Sequence, residues 1–158
     1  MGSIQTKESM KSILKILRKE APIIKVVTTN GAFDILHSGH VFSLKKAKSY
    51  GDILIVCLNS DSSIKKYKSL NRPIIPQKDR AELLVALEIV DYVVIFNETD
   101  PREILKIIKP NFHVKSKSGF KGIEKDVVEK NGGKIVLIDD TKEGYSTTKI
   151  IEKIKLTN

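Results

Sequence analysis

This 158-residue chain predicts an α/β fold: a Rossmann-like, doubly wound sheet of about five parallel strands with an extra N-terminal helix. Three observations lead there. Short runs rich in Val and Ile alternate with helix-type runs along the chain, as βαβ units require. Those Val/Ile runs mostly lack polar alternation, as strands buried on both faces do. No repeat or low-complexity linker divides the chain, so residues 1–158 read as one domain with a helical extension over residues 1–22.

The extension carries Met10, Ile13, Leu14 and Leu17 on one stripe. The predicted strands cover residues 25–29, 52–59, 92–96, 112–114 and 134–139. Val41, Leu44 and Ala47 share one face of the helix after the first strand, and Leu83, Leu84 and Leu87 share a face of the next. Asp100 and Pro101 read as an N-cap and first turn before Ile104, Leu105 and Ile108. Val127 and Val128 belong to a helix that Asn131, Gly132 and Gly133 end. Ser146 caps a final helix over residues 147–155.

Composition bounds the function. With Cys57 alone, no intramolecular disulfide forms, and the buried-strand setting makes that thiol a core residue. No apolar run is long enough to cross a membrane, and residues 1–20 lack a secretory signal pattern, so the reading is a cytoplasmic protein with no membrane partner. The net charge of +9 attracts anions, whether nucleic acid or phosphorylated small molecules. The basic residues are scattered among acids, without basic-aromatic alternation, so most form a solvated surface and no nucleic-acid partner is expected. A basic nucleic-acid-binding protein, with steeply salt-dependent oligonucleotide binding, is the non-enzyme alternative. An inactive nucleotide-sensing module of the same fold is another.

Open parallel sheets bind ligands beyond the carboxyl ends of their strands. After the first predicted strand the chain reads Asn30-Gly31-Ala32-Phe33-Asp34-Ile35-Leu36-His37-Ser38-Gly39-His40 and then enters a helix. His37 and His40, three apart at a helix start, can point to one side. A helix N-terminus offers free N–H groups to a phosphate, and Gly31 and Gly39 allow close approach. Neither the G-x-G-x-x-G nor the P-loop fingerprint is present. Two histidines without a third ligand nearby make a poor zinc site, so no protein-bound metal is assigned.

These parts suit attack of a phosphate monoester on an α-phosphate. That nucleophile is already an anion and needs no general base. Catalysis then consists of holding two anions in line and neutralising charge on the transferring group. Metal ions on the triphosphate contribute to the same end.

The stretch GAFDILHSGH resembles the H-x-G-H signature of the cytidylyltransferase-like nucleotidyltransferase superfamily. Asn59-Ser60-Asp61, Arg72-Pro73-Ile74-Ile75-Pro76 leading to Asp79-Arg80, and Glu143-Gly144-Tyr145-Ser146-Thr147-Thr148 match in order. The segments NSDSSIKK, RPIIPQKDR and LEIVDYVVIF are similar to the adenylyltransferase domain of bifunctional ADP-heptose synthases in particular. The resemblance implies transfer of NMP from an NTP to a sugar phosphate such as heptose 1-phosphate, with release of pyrophosphate. Thr141-Lys142 stands where cytidylyltransferase relatives carry Arg-Thr, so ATP is the implied nucleotide, brought in with Mg2+. The alternative is a CTP-dependent cytidylyltransferase acting on glycerol 3-phosphate or another polyol phosphate. Residues 115–120, KSKSGF, replace the Gly-Gly-Asp-aromatic stretch usual in the heptose group, which leaves the acceptor open.

The same resemblance implies roles. His37 and His40 stabilise the transferring phosphate. Thr29, Asn30, Gly31, Ala32, Phe33 and Gly39 line the nucleotide, and Ser146, Thr147 and Thr148 grip its outer phosphates. Lys65 or Lys66 neutralises phosphate charge. Asp34 and Asp61 hold the acceptor or orient its partners, Arg80 binds a substrate phosphate, and Lys115 stands in the loop that helps hold a ligand. Each has a plainer reading: turn or cap for Asp34, Asp61 and Ser146, surface charge for Arg80 and the lysines. His113 reads as structural. A homodimer is the expected assembly, since closed dimers are the commonest, and the N-terminal helix is a candidate to pack in it.

Overall fold

A computed structural model describes residues 2–139 and 146–157. Its centre is β3 (Ile53–Asn59), all seven residues of which are buried. Parallel partners flank it: β2 (Val26–Gly31) on one side and β4 (Tyr92–Phe96) on the other. Beyond β2 lie β5 (Phe112–Ser116) and β6 (Lys134–Ile138), and beyond β4 lies β1 (Ser3–Gln5). The sheet has six strands in the order β1-β4-β3-β2-β5-β6, every pairing parallel.

Successive residues of β3 serve opposite faces, and both faces are apolar. Leu54, Val56 and Leu58 pack with Leu44 and Ala47 of α2 (Ser38–Lys48) and with Ala81 and Leu84 of α4 (Gln77–Val85). Ile53, Ile55 and Cys57 pack with Met10 and Leu14 of α1 (Lys7–Glu20) and with Ile104 and Ile108 of α5 (Arg102–Ile108). The winding is therefore double, as the sequence predicts. Cys57 is a core residue, its thiol pushed up to about 12 by burial.

The differences from the sequence reading are local. The sheet gains a sixth strand, because Ser3–Gln5 adds to the edge of β4. The N-terminal extension therefore holds a strand as well as a helix, and both pack into the sheet. Thr6 caps α1 by accepting from the Ser9 amide at 3.0 Å. Burial of Met10 and Leu14 commits the α1 stripe to this chain's own core, with Ile13 and Leu17 partly buried beside them. Leu83 is exposed; Ala81 takes the core position with Leu84. A short helix absent from the sequence reading, α3 (Asp61–Tyr67), follows β3. Among the described residues no helix is long and apolar enough to cross a membrane.

Pro101 takes the cap position of α5, and Asp100 Oδ1 accepts from the Arg102 amide at 3.1 Å. The helix α6 (Lys125–Lys130) ends toward Gly132, whose φ of +80° favours glycine. Ser146 caps α7 (Thr147–Leu156) by accepting from the Lys149 amide at 3.2 Å.

If α1 is integral to the core, Leu14→Ala should lower unfolding stability by about 2–5 kcal/mol, the range for a buried Leu truncation. Urea denaturation measures it. A loss near that of an exposed site would place α1 outside the cooperative unit.

Candidate active site

Site residues gather beyond the carboxyl ends of β2, β3 and β5. The chain runs from β2 outward to β3 and β4, then returns to the other side of β2 for β5 and β6. The gap between β2 and β5 is the topological switch point, where such sheets open a crevice. Lys115, at the end of β5, bridges it: its Nζ donates to Asn30 Oδ1 at 2.9 Å and lies 3.4 Å from the Asn30 carbonyl oxygen.

The turn from β2 to α2 brings the two histidines together. His37 stands at the cap of α2 and His40 in its first turn, with their rings stacked at 3.8 Å between centroids and 25° between planes. Phe33 packs against His40, 5.1 Å ring to ring. Phe33 has φ 46°, a left-handed conformation costly for a bulky residue and typical of functional turns. Gly31 lies close under this ring: a Cβ there would come within 3.1 Å of Phe33 and press on it. Gly39 is buried in the first turn of α2.

Both Nδ1 atoms are buried with no hydrogen-bond partner. Orphaned buried polar atoms are rare, and two of them occur at this one turn. Burial lowers the His37 pKa. His40 is held down to about 4, mainly by burial and then by the charges of His37 and Lys68, with Asp34 opposing. Both rings are neutral at pH 7, so each can offer an N–H without adding charge.

The loop after α3 closes over this turn. Asp34 is buried and accepts from Arg72 Nε at 2.7 Å, from the Ile74 amide at 2.8 Å and from the Ile75 amide at 2.9 Å. Arg80 is buried too. It donates to the Ile75 carbonyl at 2.9 Å, to Asp61 Oδ1 at 2.7 Å and to the Ala32 carbonyl. Arg80 therefore presents no exposed guanidinium to a substrate phosphate. It fixes the loops, and Asp34 and Asp61 orient Arg72 and Arg80.

Lys65 and Lys66 are exposed on the last turn of α3. The lysine whose charge reaches His40 is Lys68. It keeps part of its surface in solvent, yet burial of the rest lowers its pKa, with Arg72 adding to that effect. Lys68 follows the buried Ile64 by four residues, so it leaves the helix on the Ile64 side. That spacing singles it out only once α3 is known to be a helix. Arg72, inside the Arg-Pro-Ile-Ile-Pro motif, carries no separate signal in the sequence.

A cavity of about 200 Å³ opens on the α5 side of the crevice, lined by Asn30, Asn59, Thr99, Asp100, Lys115 and Glu124 among others. Burial lowers the Lys115 pKa, while Glu124 and Cys57 act to raise it. His113 is structural as expected: it is buried, with Nδ1 2.8 Å from the Thr28 hydroxyl, and held down to about 3 by burial and Lys115. Thr29 is half-buried, one residue past the buried start of β2. Ser146, Thr147 and Thr148 open α7, while Thr141, Lys142, Glu143, Gly144 and Tyr145 lie outside the described residues. Among the described residues no three His, Cys, Asp or Glu side chains cluster to hold a metal.

The cytidylyltransferase-like family model matches residues 28–153. The bifunctional protein HldE of a Nitratiruptor species is 51% identical over 148 residues, 94% of this chain and 31% of that protein. The bifunctional protein HldE of Helicobacter pylori (strain P12) is 49% identical over 134 residues, 85% of this chain and 28% of that protein. The chain thus spans less than a third of these relatives' length. A lipopolysaccharide core biosynthesis protein from Thermoplasma volcanium GSS1 superposes with a TM-score of 0.66 at 28% identity, over 75% of this chain and 99% of that one. A pantoate-beta-alanine ligase from Francisella tularensis, at 17% identity, shares the fold with a TM-score of 0.65, over 99% of this chain and 78% of that one.

The depressed histidine pKa values carry a stability consequence. Each folded value lies below the ordinary 6.5, so the unfolded chain takes up a proton that the folded chain refuses. Stability is therefore full above pH 6.5 and falls as pH drops toward 4 for His40 and toward 3 for His113. The slope is at most about 1.4 kcal/mol per pH unit for each group. Urea denaturation at several pH values should show a shallower acid limb for His113→Gln than for the parent. An unchanged slope would show that His113 does not titrate this way.

Proposed function

The chain belongs to the cytidylyltransferase-like family, and from that premise we propose that it transfers AMP from ATP to a sugar phosphate such as heptose 1-phosphate, releasing pyrophosphate. The observation that carries the reading is the stacked His37–His40 pair at the head of α2, with both Nδ1 atoms unpartnered. Adenylyl transfer is favoured over cytidylyl transfer by the likeness of residues 59–96 to heptose adenylyltransferases and by the near 50% identity to bifunctional HldE proteins. The whole chain acts as one nucleotidyltransferase domain. The cytoplasm, where nucleoside triphosphates are supplied, is the proposed location, and a homodimer is the proposed assembly.

In this mechanism an acceptor phosphate oxygen bonds to the α-phosphorus as the bond to the bridging oxygen of the β-phosphate breaks. Pyrophosphate leaves in line, and no proton needs to move. Neutral His37 and His40 donate N–H bonds to the transferring group, where negative charge builds. Thr29 through Phe33 and Gly39 line the nucleotide, and Ser146, Thr147 and Thr148 receive its outer phosphates at the start of α7. Mg2+ enters with the triphosphate as part of the substrate and offsets its charge. Lys68, Arg72 and Lys115 supply positive charge, and Lys115 faces the acceptor's phosphate. Asp34, Asp61 and Arg80 act as positioning residues.

A pyrophosphate-release screen crossing ATP, CTP, GTP and UTP with sugar and polyol phosphates tests the reaction, and turnover with ATP and a sugar phosphate is expected. With the best pair, His37→Ala and His40→Ala should each lower turnover by about 2.7–4 kcal/mol of transition-state stabilisation. Near-normal turnover in both would remove the assigned role. Lys68→Ala should weaken substrate binding more than Lys65→Ala or Lys66→Ala. Because exposed charges are screened, any effect of the latter two should fade across a salt series. An equal or greater defect at Lys65 or Lys66 would return the phosphate contact to them.

A further inference from the structure

The cavity on the α5 side holds a carboxylate that no hydrogen-bond donor reaches among the described residues. The side chains of Asp100, Asn59 and Asn30 in its lining are engaged. Asp100 accepts from Arg102 Nε at 2.8 Å and from Arg102 Nη2 at 3.0 Å. Asn59 donates to Ser63 Oγ at 2.9 Å, and Asn30 receives Lys115. Glu124, in contrast, is only 2% exposed, and the group nearest to pairing with its carboxylate is His113 Nε2 at 3.9 Å. That separation is outside hydrogen-bond range, and His113 Nε2 is itself left without a partner. His113 is tied back to Thr28 and cannot approach without breaking that contact.

A carboxylate that is nearly buried yet turned to a cavity, with no protein donor, takes its hydrogen bonds from whatever occupies that cavity. The surroundings narrow the ligand's chemistry. Lys115 and Lys121 also line the cavity, so an ammonium would meet two like charges. Glu124 and an Asp100 already paired with Arg102, beside two lysines, make no metal site, and no metal-binding cluster occurs among the described residues. A volume of about 200 Å³ is below the usual range for drug-sized ligands, and suits a few hydroxyl-bearing carbons. Hydroxyl donors next to a lysine that receives a phosphate describe a polyhydroxylated phosphate ester.

We propose that Glu124 is a specificity-determining residue that accepts hydrogen bonds from hydroxyls on the acceptor's carbon skeleton, while Lys115 holds the acceptor's phosphate. This rests on the nucleotidyltransferase reading above. It adds that acceptors are sorted by a hydroxyl read just before α6, across β2 from the histidine pair.

The test is steady-state kinetics with MgATP, using heptose 1-phosphate and its monodeoxy analogues on the parent and on Glu124→Gln. A charge-assisted bond lost to the amide should lower kcat/KM for the acceptor about tenfold or more, while the KM for ATP stays put. One monodeoxy analogue should lose a similar factor on the parent and little further on Glu124→Gln, because both changes remove the same bond. Fully additive losses, or a defect in the ATP KM instead, would overturn the assignment. So would a parent enzyme indifferent to every monodeoxy analogue, a result that needs no folded variant. A parent that turns over with no sugar phosphate overturns the reaction itself and this inference with it. Turnover by the parent with no acceptor defect in Glu124→Gln overturns this inference alone.

Discussion

The carboxylate of Asp34 joins the two loops on which the site depends. It sits just past β2 and receives the Arg72 guanidinium together with the amides of Ile74 and Ile75. Those three bonds fix the segment that leads into α4. Arg80 of α4 then reaches back to Ala32, closing a ring of contacts around the turn. Removing one partner from such a buried pair typically destabilises by about 3–5 kcal/mol. Phe33, whose left-handed backbone carries strain of about 1–3 kcal/mol, follows directly on the Ala32 carbonyl that Arg80 holds. Phe33 in turn packs on the His40 ring. A chain of contacts thus runs from the Asp34 carboxylate through Ile75, Arg80 and Ala32 to the turn that carries the His40 ring.

The same ring gathers positive charge where solvent access is reduced. Burial lowers the pKa of both Lys68 and Lys115, more of Lys115 being covered, and in each case a neighbouring carboxylate opposes that lowering. The net charge of +9 is spread over the surface, but these partly desolvated cations are the part with chemical consequence. Partly desolvated cations are costly to hold unless an anion lies close. Proteins accept that trade at functional sites, where stability and activity pull apart. Neutral histidines fit the scheme, because protonation of His40 is opposed by Lys68 close by.

What is legible in the sequence follows from how local each signal is. The five longer strands are readable because both faces of the sheet are covered, which makes runs such as Ile53–Asn59 almost continuously apolar. β1 is not: Ser3–Gln5 holds one apolar residue, and only its pairing with Tyr92, Val93 and Val94 makes it a strand. α3 escapes notice because Asp61–Tyr67 carries a single apolar core residue, Ile64, and too little periodicity. The histidine pair stands out because a turn between strand and helix brings both into one short segment. Glu124 does not, since nothing near it in the chain distinguishes it from Glu129 or Glu88. Its neighbours come from β2 and β5, reached only through the fold. Arg80 is visible as a candidate but its role is not: a sequence shows that a guanidinium is present, not that three local acceptors already hold it.

The strand order explains why the two halves of the site stay separate yet adjacent. β2 lies at the middle of the sheet and is the strand from which both windings depart. Its end feeds α2 on one face, where the histidines are, while Asn30 faces Lys115 across the switch point. The α5 cavity opens from the other face. A transferring phosphate held by the histidines and an acceptor held near Lys115 and Glu124 would then meet over Asn30 and Gly31. In-line displacement needs the attacking and leaving groups on opposite sides of phosphorus. Under the proposed reading, an acceptor attacking from the side of Lys115 and Glu124 would require the pyrophosphate to leave away from that cavity.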